Sequence, residues 1–266
     1  MTSRILPLSL ILISLSWRLH FLQANETNTL KFKNFTFFDR DIEFIVAPPN
    51  FATAQNITYA NVSNRGGNFT ISGCTQDQWF SRGLSTTASG GAFVEPMTSF
   101  TAINNANLFF CNNYCTYQNG GGAIHANGTI NFENNQNVLF YNNTTIGVQF
   151  TGAALRTERN CGGALYATRV ELINNHSLNF INNTSGDMGG AISATQNIII
   201  KNTPGTITFE NNHTTDHIPN TNAHILARGG AIASSNCEIS NNSGPIVFNH
   251  NYGSYGGAIT TGDQCT

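Results

Sequence analysis

The sequence predicts an all-β protein, folded as a right-handed parallel β-helix with an N-terminal cap. Two repeated motifs and their alternation lead to this prediction. A Gly-Gly-Ala-apolar tetrad and a Phe-x-x-Asn motif each occur in six non-overlapping copies after residue 89. Repetition in a fixed order is typical of solenoids, in which stacked units bury one continuous core that no single unit could bury alone.

The tetrads contribute paired glycines, and successive tetrads begin 27 to 41 residues apart. The glycine pairs are Gly90 and Gly91, Gly121 and Gly122, Gly162 and Gly163, Gly189 and Gly190, Gly229 and Gly230, and Gly256 and Gly257. The second motif comprises Phe110 and Asn113, Phe132 and Asn135, Phe140 and Asn143, Phe180 and Asn183, Phe209 and Asn212, and Phe248 and Asn251.

Short apolar stretches between these motifs predict strands. The unit 162–188 contains Ala164–Ala167, Val170–Ile173 and Leu178–Ile181, each too short for a helix. An apolar residue lies two positions before every motif phenylalanine, so both side chains share one sheet face. We expect the phenylalanines to form one internal stack. The apolar partners are Leu108, Ile130, Val138, Leu178, Ile207 and Ile246.

The motifs also predict the corners between strands. Paired glycines allow positive φ and close approach of two backbones. Asparagine tolerates the left-handed conformation, and stacked amides can hydrogen-bond from coil to coil. The asparagines are therefore predicted to belong to the scaffold rather than to a recognition surface.

Two intervals between tetrads are longer than the others. From 121 to 162, two Phe-x-x-Asn motifs and the tetrad-like Gly152–Leu155 predict a degenerate additional coil. From 189 to 229, the polar segment His213–Arg228 contains Pro219 and is predicted to leave the coil as a surface loop. Insertions in solenoids map to binding faces, so deletion of 214–226 is expected to preserve folding and reduce binding.

Composition and the N-terminus indicate export. Charged residues make up 10% of the chain and the net charge is −2, which gives no electrostatic footprint for nucleic acid. Residues 1–24 are predicted to be a signal peptide, with Arg4 before the apolar run Ile5–Trp17. The alternative is an uncleaved N-terminal helix. Residues 25–85 are the predicted cap, and 86–266 the repeat region.

The cysteine count is even, which is compatible with disulfides in an oxidising compartment. Six cysteines allow fifteen pairings, and the sequence does not choose among them. Zinc binding is the weaker alternative, because only one close pair is present. The candidate disulfide residues are Cys74, Cys111, Cys115, Cys161, Cys237 and Cys265.

No catalytic, cofactor-binding or metal-binding residue is predicted. The acids Glu133, Glu171, Glu210 and Glu238 occur singly, although Glu133 and Glu210 follow a motif phenylalanine and are candidates for alignment on an outer face. Asp39-Arg40-Asp41 is interpreted as a solvated turn. A metal site is the alternative interpretation of His213, Asp216, His217 and His224, but Pro219 argues against the helix that would bring them together. His125, Tyr166 and Ser193 are expected to point outward and are candidates for an adhesive stripe.

Alternating GGA(I/L/V) and FxxN motifs after an export signal resemble the chlamydial polymorphic outer membrane proteins. The resemblance covers about residues 86–260. It implies an autotransporter whose β-helical passenger is carried to the bacterial surface by a C-terminal β-barrel, with a role in adhesion to a host-cell surface protein. It further implies that both motifs take part in binding, and that envelope proteins or like passengers are additional partners.

The chain departs from the family pattern after the last tetrad, because the sequence that follows is too short for a barrel. A truncated or frameshifted member, or a passenger fragment, is therefore expected. The predicted function is non-enzymatic adhesion at the cell surface or outer membrane, or as a secreted protein without the barrel. The alternatives are a disulfide-cross-linked envelope component and a non-functional remnant. A β-helical carbohydrate-active enzyme is the least favoured alternative.

Overall fold

The computed structural model describes residues 62–65, 67–75, 77–81, 84–85, 91–92, 97–116, 120–146, 161–215 and 228–266. All of them fall within one unit, residues 51–266. The predicted signal peptide, most of the predicted cap and Gly90 lie outside the described residues. Within these ranges all the regular elements are strands.

The strands, numbered along the chain, form three sheets. Sheet A contains Val62–Arg65 (β1), Asn68–Ser72 (β2), Ser99–Ile103 (β5), Ile124–Glu133 (β8), Leu165–Ile173 (β11), Ile192–Lys201 (β14), Ile232–Ser240 (β17) and Ile259–Cys265 (β19). Sheet B contains Gln78–Ser81 (β3), Asn107–Cys111 (β6), Asn137–Tyr141 (β9), Ser177–Ile181 (β12), Ile207–Glu210 (β15) and Ile246–Asn249 (β18). Sheet C contains Leu84–Ser85 (β4), Tyr114–Cys115 (β7), Thr144–Thr145 (β10), Thr184–Ser185 (β13) and His213–Thr214 (β16).

From β2 to β17 the chain visits sheets A, B and C in the same order on every turn, and in the last turn an isolated bridge from Tyr252 to His213 stands in place of a sheet C strand. Each strand pairs in parallel with the equivalent strand of the next turn, for example β11 with β14 and β12 with β15. This is a parallel β-helix, as the repeats predict, and the crossover rule makes it right-handed. Stacked turns enclose a core of aliphatic and aromatic side chains that are almost fully buried.

The predicted phenylalanine stack is confirmed in sheet B. Consecutive ring centroids lie 4.6–4.9 Å apart, and the interplanar angles are 12° or less. The stack comprises Phe80, Phe110, Phe140, Phe180, Phe209 and Phe248. Its first member was not identified from the motif, because Phe80 lacks the asparagine three residues later.

Phe132 does not belong to that stack, which corrects one prediction. It lies on β8 in sheet A, where its register partners are Ala102 and Leu172. Its ring meets those of Phe110 and Phe140 edge-on. The motif is ambiguous because each coil has an asparagine corner after sheet A and another after sheet B, and Phe-x-x-Asn fits either corner.

The prediction of an additional coil between Gly121 and Gly162 is wrong. Strand β8 pairs directly with β11, and Ile124 lies opposite Leu165. Phe132 and Phe140 therefore belong to strands of the same coil, β8 and β9. The tetrad-like Gly152–Leu155 lies outside the described residues, and the long interval is one coil with an insertion.

The coils begin before the first tetrad. Strands β2, β3 and β4 already pair with the following coil, and Ile71 and Phe80 fill core positions without any glycine motif. Coiled structure thus extends into the region assigned to the cap. At this end β1 pairs antiparallel with β2, which satisfies the outer edge of sheet A.

Candidate functional site

The tetrads form the corner where sheet C meets sheet A. In the last four tetrads the first glycine has φ between 60° and 70°, a conformation that favours glycine. The second glycine serves a different purpose. A Cβ on Gly163 would overlap the carbonyl oxygen of Gly190 and the backbone of Thr184. Neighbouring coils therefore approach at this corner to a distance that excludes any side chain.

The asparagines form hydrogen-bonded ladders at the other two corners. The second-corner ladder, after sheet B, consists of Asn113, Asn143, Asn183, Asn212 and Asn251. The first-corner ladder, after sheet A, consists of Asn105, Asn135 and Asn175, with Thr203 and then Asn242 in the next two coils.

Asn143 shows the geometry of a ladder position. Its backbone nitrogen and Nδ2 both donate to Oδ1 of Asn183, at 3.0 and 2.9 Å. Nδ2 also donates to the carbonyl oxygen of Phe110 at 2.9 Å. The residue before each ladder asparagine adopts positive φ, as Asn142 does at 53°. Each amide thus links its own coil to both neighbouring coils.

In the coils before the last one, both motifs are therefore buried in the scaffold. The ladder asparagines Asn143, Asn183 and Asn212 have no exposed surface, and neither do Phe180 and Phe209. A side chain without accessible surface cannot contact a second macromolecule in the folded coil. Partner contact has to come from side chains that point outward.

The best-defined outward surface lies on sheet A at β11, β14, β17 and β19. We call it the A face and define it by its charged, amide and aliphatic positions. It comprises Arg169, Glu171, Asn197, Ile199, Lys201, Asn236, Glu238 and Gln264.

Two ion pairs organise the A face. Arg169 Nε lies 2.6 Å from Glu171 Oε1 within one strand. Lys201 Nζ lies 2.9 Å from Glu238 Oε1 across two strands. The hydrogen bonds from Lys201 and Ser240 hold the pKa of Glu238 below its usual value. Positive and negative charges balance, so the A face presents no field of one sign.

A shallow groove of about 230 Å³ runs along the A face, between the row that contains Asn197 and the row that contains Ile199. Asn197 and Asn236 lie in register along it, and Nδ2 of Asn236 donates to Oδ1 of Asn197 at 3.3 Å. Gln264 continues the amide row on β19, and Ile199 supplies an apolar patch. Amides, paired charges and an aliphatic side chain can together recognise a polar partner surface.

The predicted adhesive stripe is only partly exposed. Tyr166 stacks on His125 with ring centroids 5.1 Å apart, and both lie in one row of sheet A. Burial lowers the pKa of His125 to about 4. Ser193, the next position in the row, is buried, so the expectation that it forms part of an open surface is wrong.

The acids do not converge. Glu133 ends β8 in sheet A and Glu210 ends β15 in sheet B, so the suggested alignment on one outer face is wrong. Glu171 and Glu238 share a row but Ile199 lies between them.

The six cysteines are distributed over all three sheets and their corners. Cys74, Cys111, Cys115, Cys161 and Cys237 are buried, whereas Cys265 is exposed. Cys237 and Cys265 are register partners in β17 and β19. The wider prediction of disulfides remains a prediction.

The insertion before Gly229 begins later than its composition indicates. His213 and Thr214 form β16 and pair with β13, and Arg228 bridges Met188 and Tyr255. His217, His224 and Asp216 lie outside the described residues. In the ranges that the structure describes, no three His, Cys, Asp or Glu side chains are grouped as metal ligands would be.

No helix suited to crossing a bilayer occurs in the part of the chain that the structure describes. No solved structure matches the chain significantly.

Comparison with protein families gives a match to the repeat of the Chlamydia polymorphic membrane protein at residues 137–168 and 177–195. The chain is 73% identical over its whole length to "Probable outer membrane protein PmpF" of Chlamydia muridarum (strain MoPn / Nigg). It is 58% identical over 90% of its length to the protein of that name from Chlamydia trachomatis serovar D. It spans 26% and 24% of the length of these two relatives.

The family match falls on strands β9 to β14, where the phenylalanine stack, both ladders and the tetrads coincide. The sequence relatives are outer membrane proteins by name, which indicates a location at the outer membrane or cell surface. The chain belongs to the chlamydial polymorphic membrane protein family.

Proposed function

We propose that this chain is part of an autotransporter passenger that acts, without enzymatic activity, as an adhesin for a protein on the host-cell surface. We further propose that the A face makes the contact, and that the repeated motifs contribute only by holding it in place. The observation that carries the proposal is the burial of motif side chains such as Phe180 and Asn183, which leaves binding to the outward rows.

The composition of the A face supports a protein partner. Arg169 and Lys201 have 39% and 31% of their side-chain surface exposed, so both remain accessible beside their carboxylate partners. Balanced charges favour a partner with its own mixed charges over a polyanion. The dispersed acids support a non-enzymatic role, because glycoside hydrolysis requires two carboxyl groups that flank the same bond.

Binding of the purified chain to cultured animal cells tests this proposal. The double substitution Arg169→Glu and Lys201→Glu should place four carboxylates on the A face and reduce cell binding about tenfold or more. Glu210→Gln, on the outward side of sheet B, is the matched control and should bind as the unmodified chain does. Circular dichroism at the assay temperature should be the same for all three proteins, although repulsion between the carboxylates should lower the melting temperature of the double variant.

Unchanged binding by the folded double variant would refute the role of the A face. If binding instead falls after deletion of 216–227, the contact lies in the insertion. If no form of the chain binds cells, the proposed adhesion itself is refuted.

The exposed thiol of Cys265 favours a second candidate function, that of an envelope component cross-linked between molecules. Non-reducing electrophoresis of native envelopes tests it, since adhesion requires no intermolecular disulfide.

A further inference from the structure

Cys237 and Cys265 occupy the same position in consecutive coils. They are register partners across β17 and β19. Their inward row is filled by Ile130, Val170 and Ile198 in the preceding coils. Two thiols therefore stack where the three preceding coils stack aliphatic side chains.

The backbone geometry suits a covalent bond between them. Neighbouring strands lie about 4.8 Å apart, within the range of roughly 4.4–6.8 Å between Cα atoms that a disulfide spans. Side chains of register partners point to the same side of a sheet, and the two thiols are already within hydrogen-bonding contact. By contrast, Cys111 has Ser81 and Tyr141 as register partners, and Cys115 has Thr145.

We propose that Cys237 and Cys265 form an inter-coil disulfide that joins the last described strand covalently to the coil before it. This bond would use the exposed thiol of Cys265 within the molecule, not between molecules. It is independent of the proposed adhesive function.

The oxidation proceeds by thiol–disulfide exchange with an external disulfide such as oxidised glutathione. The Cys265 thiolate attacks one sulfur of that disulfide, forms a mixed disulfide and releases one glutathione thiolate. The Cys237 thiol then attacks the Cys265 sulfur and transfers its proton to the departing thiolate, which leaves as the second glutathione. Two protein thiols are oxidised, one external disulfide is reduced to two thiols, and the two protons of the protein thiols pass to water or to the released thiolates.

Burial determines the order of these steps. Cys237 is 2% exposed, and burial together with the adjacent Cys265 raises its pKa to about 12. The buried group therefore stays protonated, and Cys265 is the thiol that meets the oxidant first. Ring closure follows because Cys237 is already in contact with the sulfur that it attacks.

The bond would stabilise the last described coil, where the core is least covered among the described residues. Ile246 is 40% exposed, whereas the register partner Ile207 is fully buried. Strand β19 pairs with β17 alone among the described strands. Linking it to the preceding coil should suppress local opening of this end.

Mass spectrometry of the full 266-residue chain, incubated in a mixture of reduced and oxidised glutathione, tests the proposal. The expected product has lost the mass of two hydrogen atoms and yields one peptide pair linked through positions 237 and 265. Amide exchange in β19 should slow at least about tenfold relative to the reduced chain.

Three variants complete the experiment. Cys265→Ser should abolish the linked peptide and the slower exchange, and Cys237→Ala should do the same if the first variant folds poorly. Cys111→Ala is the matched control, because it removes a buried thiol and should leave both signals intact. Recovery of both residues as free thiols from the folded chain, or a Cys265-linked dimer in place of the intramolecular product, would overturn the proposal.

Discussion

The two asparagine corners are built from the same residue but differ in regularity. At the second corner every ladder position from Asn113 to Asn251 is asparagine, and it follows an uninterrupted phenylalanine stack. At the first corner the preceding core residue varies, and Thr203 interrupts the ladder with its Oγ1 buried and unpaired. The difference indicates that a corner requires positive φ and a compact polar side chain. An unbroken ladder of amides is expected to add stability.

The largest effect is expected in the stack that precedes the second corner. Phe180→Ala should lower the free energy of unfolding by about 3–5 kcal/mol, because it leaves a cavity between the rings of Phe140 and Phe209. Urea denaturation measures the change.

Phe132→Leu is the control at the first corner, where the equivalent residue of the next coil is Leu172. It should cost less than about 1.5 kcal/mol. Equal losses in the two variants would contradict the distinction between the corners.

Ladder continuity is tested by Asn143→Ala. The change removes the acceptor of two Asn113 donors and leaves the carbonyl oxygen of Phe110 without its amide donor. Several buried groups lose partners together, so we expect a loss of about 2–4 kcal/mol in urea denaturation.

The neighbouring position provides the matched control. Asn142→Gly keeps the positive φ and should change stability by no more than about 0.5 kcal/mol. A similar loss in both variants would indicate that backbone conformation, not the amide ladder, stabilises the corner.

Acid titration distinguishes the asparagine corners, which should not respond to pH, from the row of sheet A that contains His125. Ladder amides do not titrate, whereas the pKa of His125 is lowered by burial to about 4 from 6.5. Between these two pH values the unfolded chain binds more protons than the folded one, so stability falls as the pH drops through this window. The loss should be on the order of 2–3 kcal/mol.

Urea denaturation at pH values of about 7 and 4.5 measures this dependence. His125→Gln should flatten it, whereas His250→Gln, at the exposed end of the second corner, should leave the slope in place. If the pH dependence of stability persists in the His125 variant, another titratable group causes the acid sensitivity.

The smallest effect on stability is expected from a substitution that completes the asparagine ladder at the first corner. Thr203→Asn would place an amide where it can accept from Asn175, donate to the carbonyl oxygen of Leu172 and remove a buried unpaired hydroxyl. Stability should rise by about 1 kcal/mol. The reverse change at the second corner, Asn183→Thr, should lower it, and a gain in both variants would refute the role assigned to the ladder. Thermal melting monitors both.

Much of this architecture was predictable from the sequence, because the inward positions repeat. The recurrence of Phe140, Phe180 and Phe209 predicts the stack, and the tetrads predict a tight corner, which lies between sheets C and A. Phe132 was misplaced because two corners accept one motif. The first coil was missed because Phe80 carries no such motif. A further ladder at Asn105 and Asn175 was detectable only as Asn-Asn pairs.

The candidate surface was less predictable for a physical reason. Outward positions carry no packing requirement, so Arg169, Lys201 and Glu238 follow no repeat. Their proximity depends on which strands are neighbours, and that was known only after β11, β14 and β17 had been placed. The pairing of Cys237 with Cys265 likewise depends on register.

Equivalent core positions in successive coils make the molecule modular. Excision of residues 189–228 would remove one whole turn and bring Leu165 opposite Ile232, since both now face Ile192. Phe180 would then stack on Phe248, and Asn175 would meet Asn242 without the threonine between them. Such a shortened solenoid should fold with its interior intact, so the length of this protein can change by whole turns without redesign of either end.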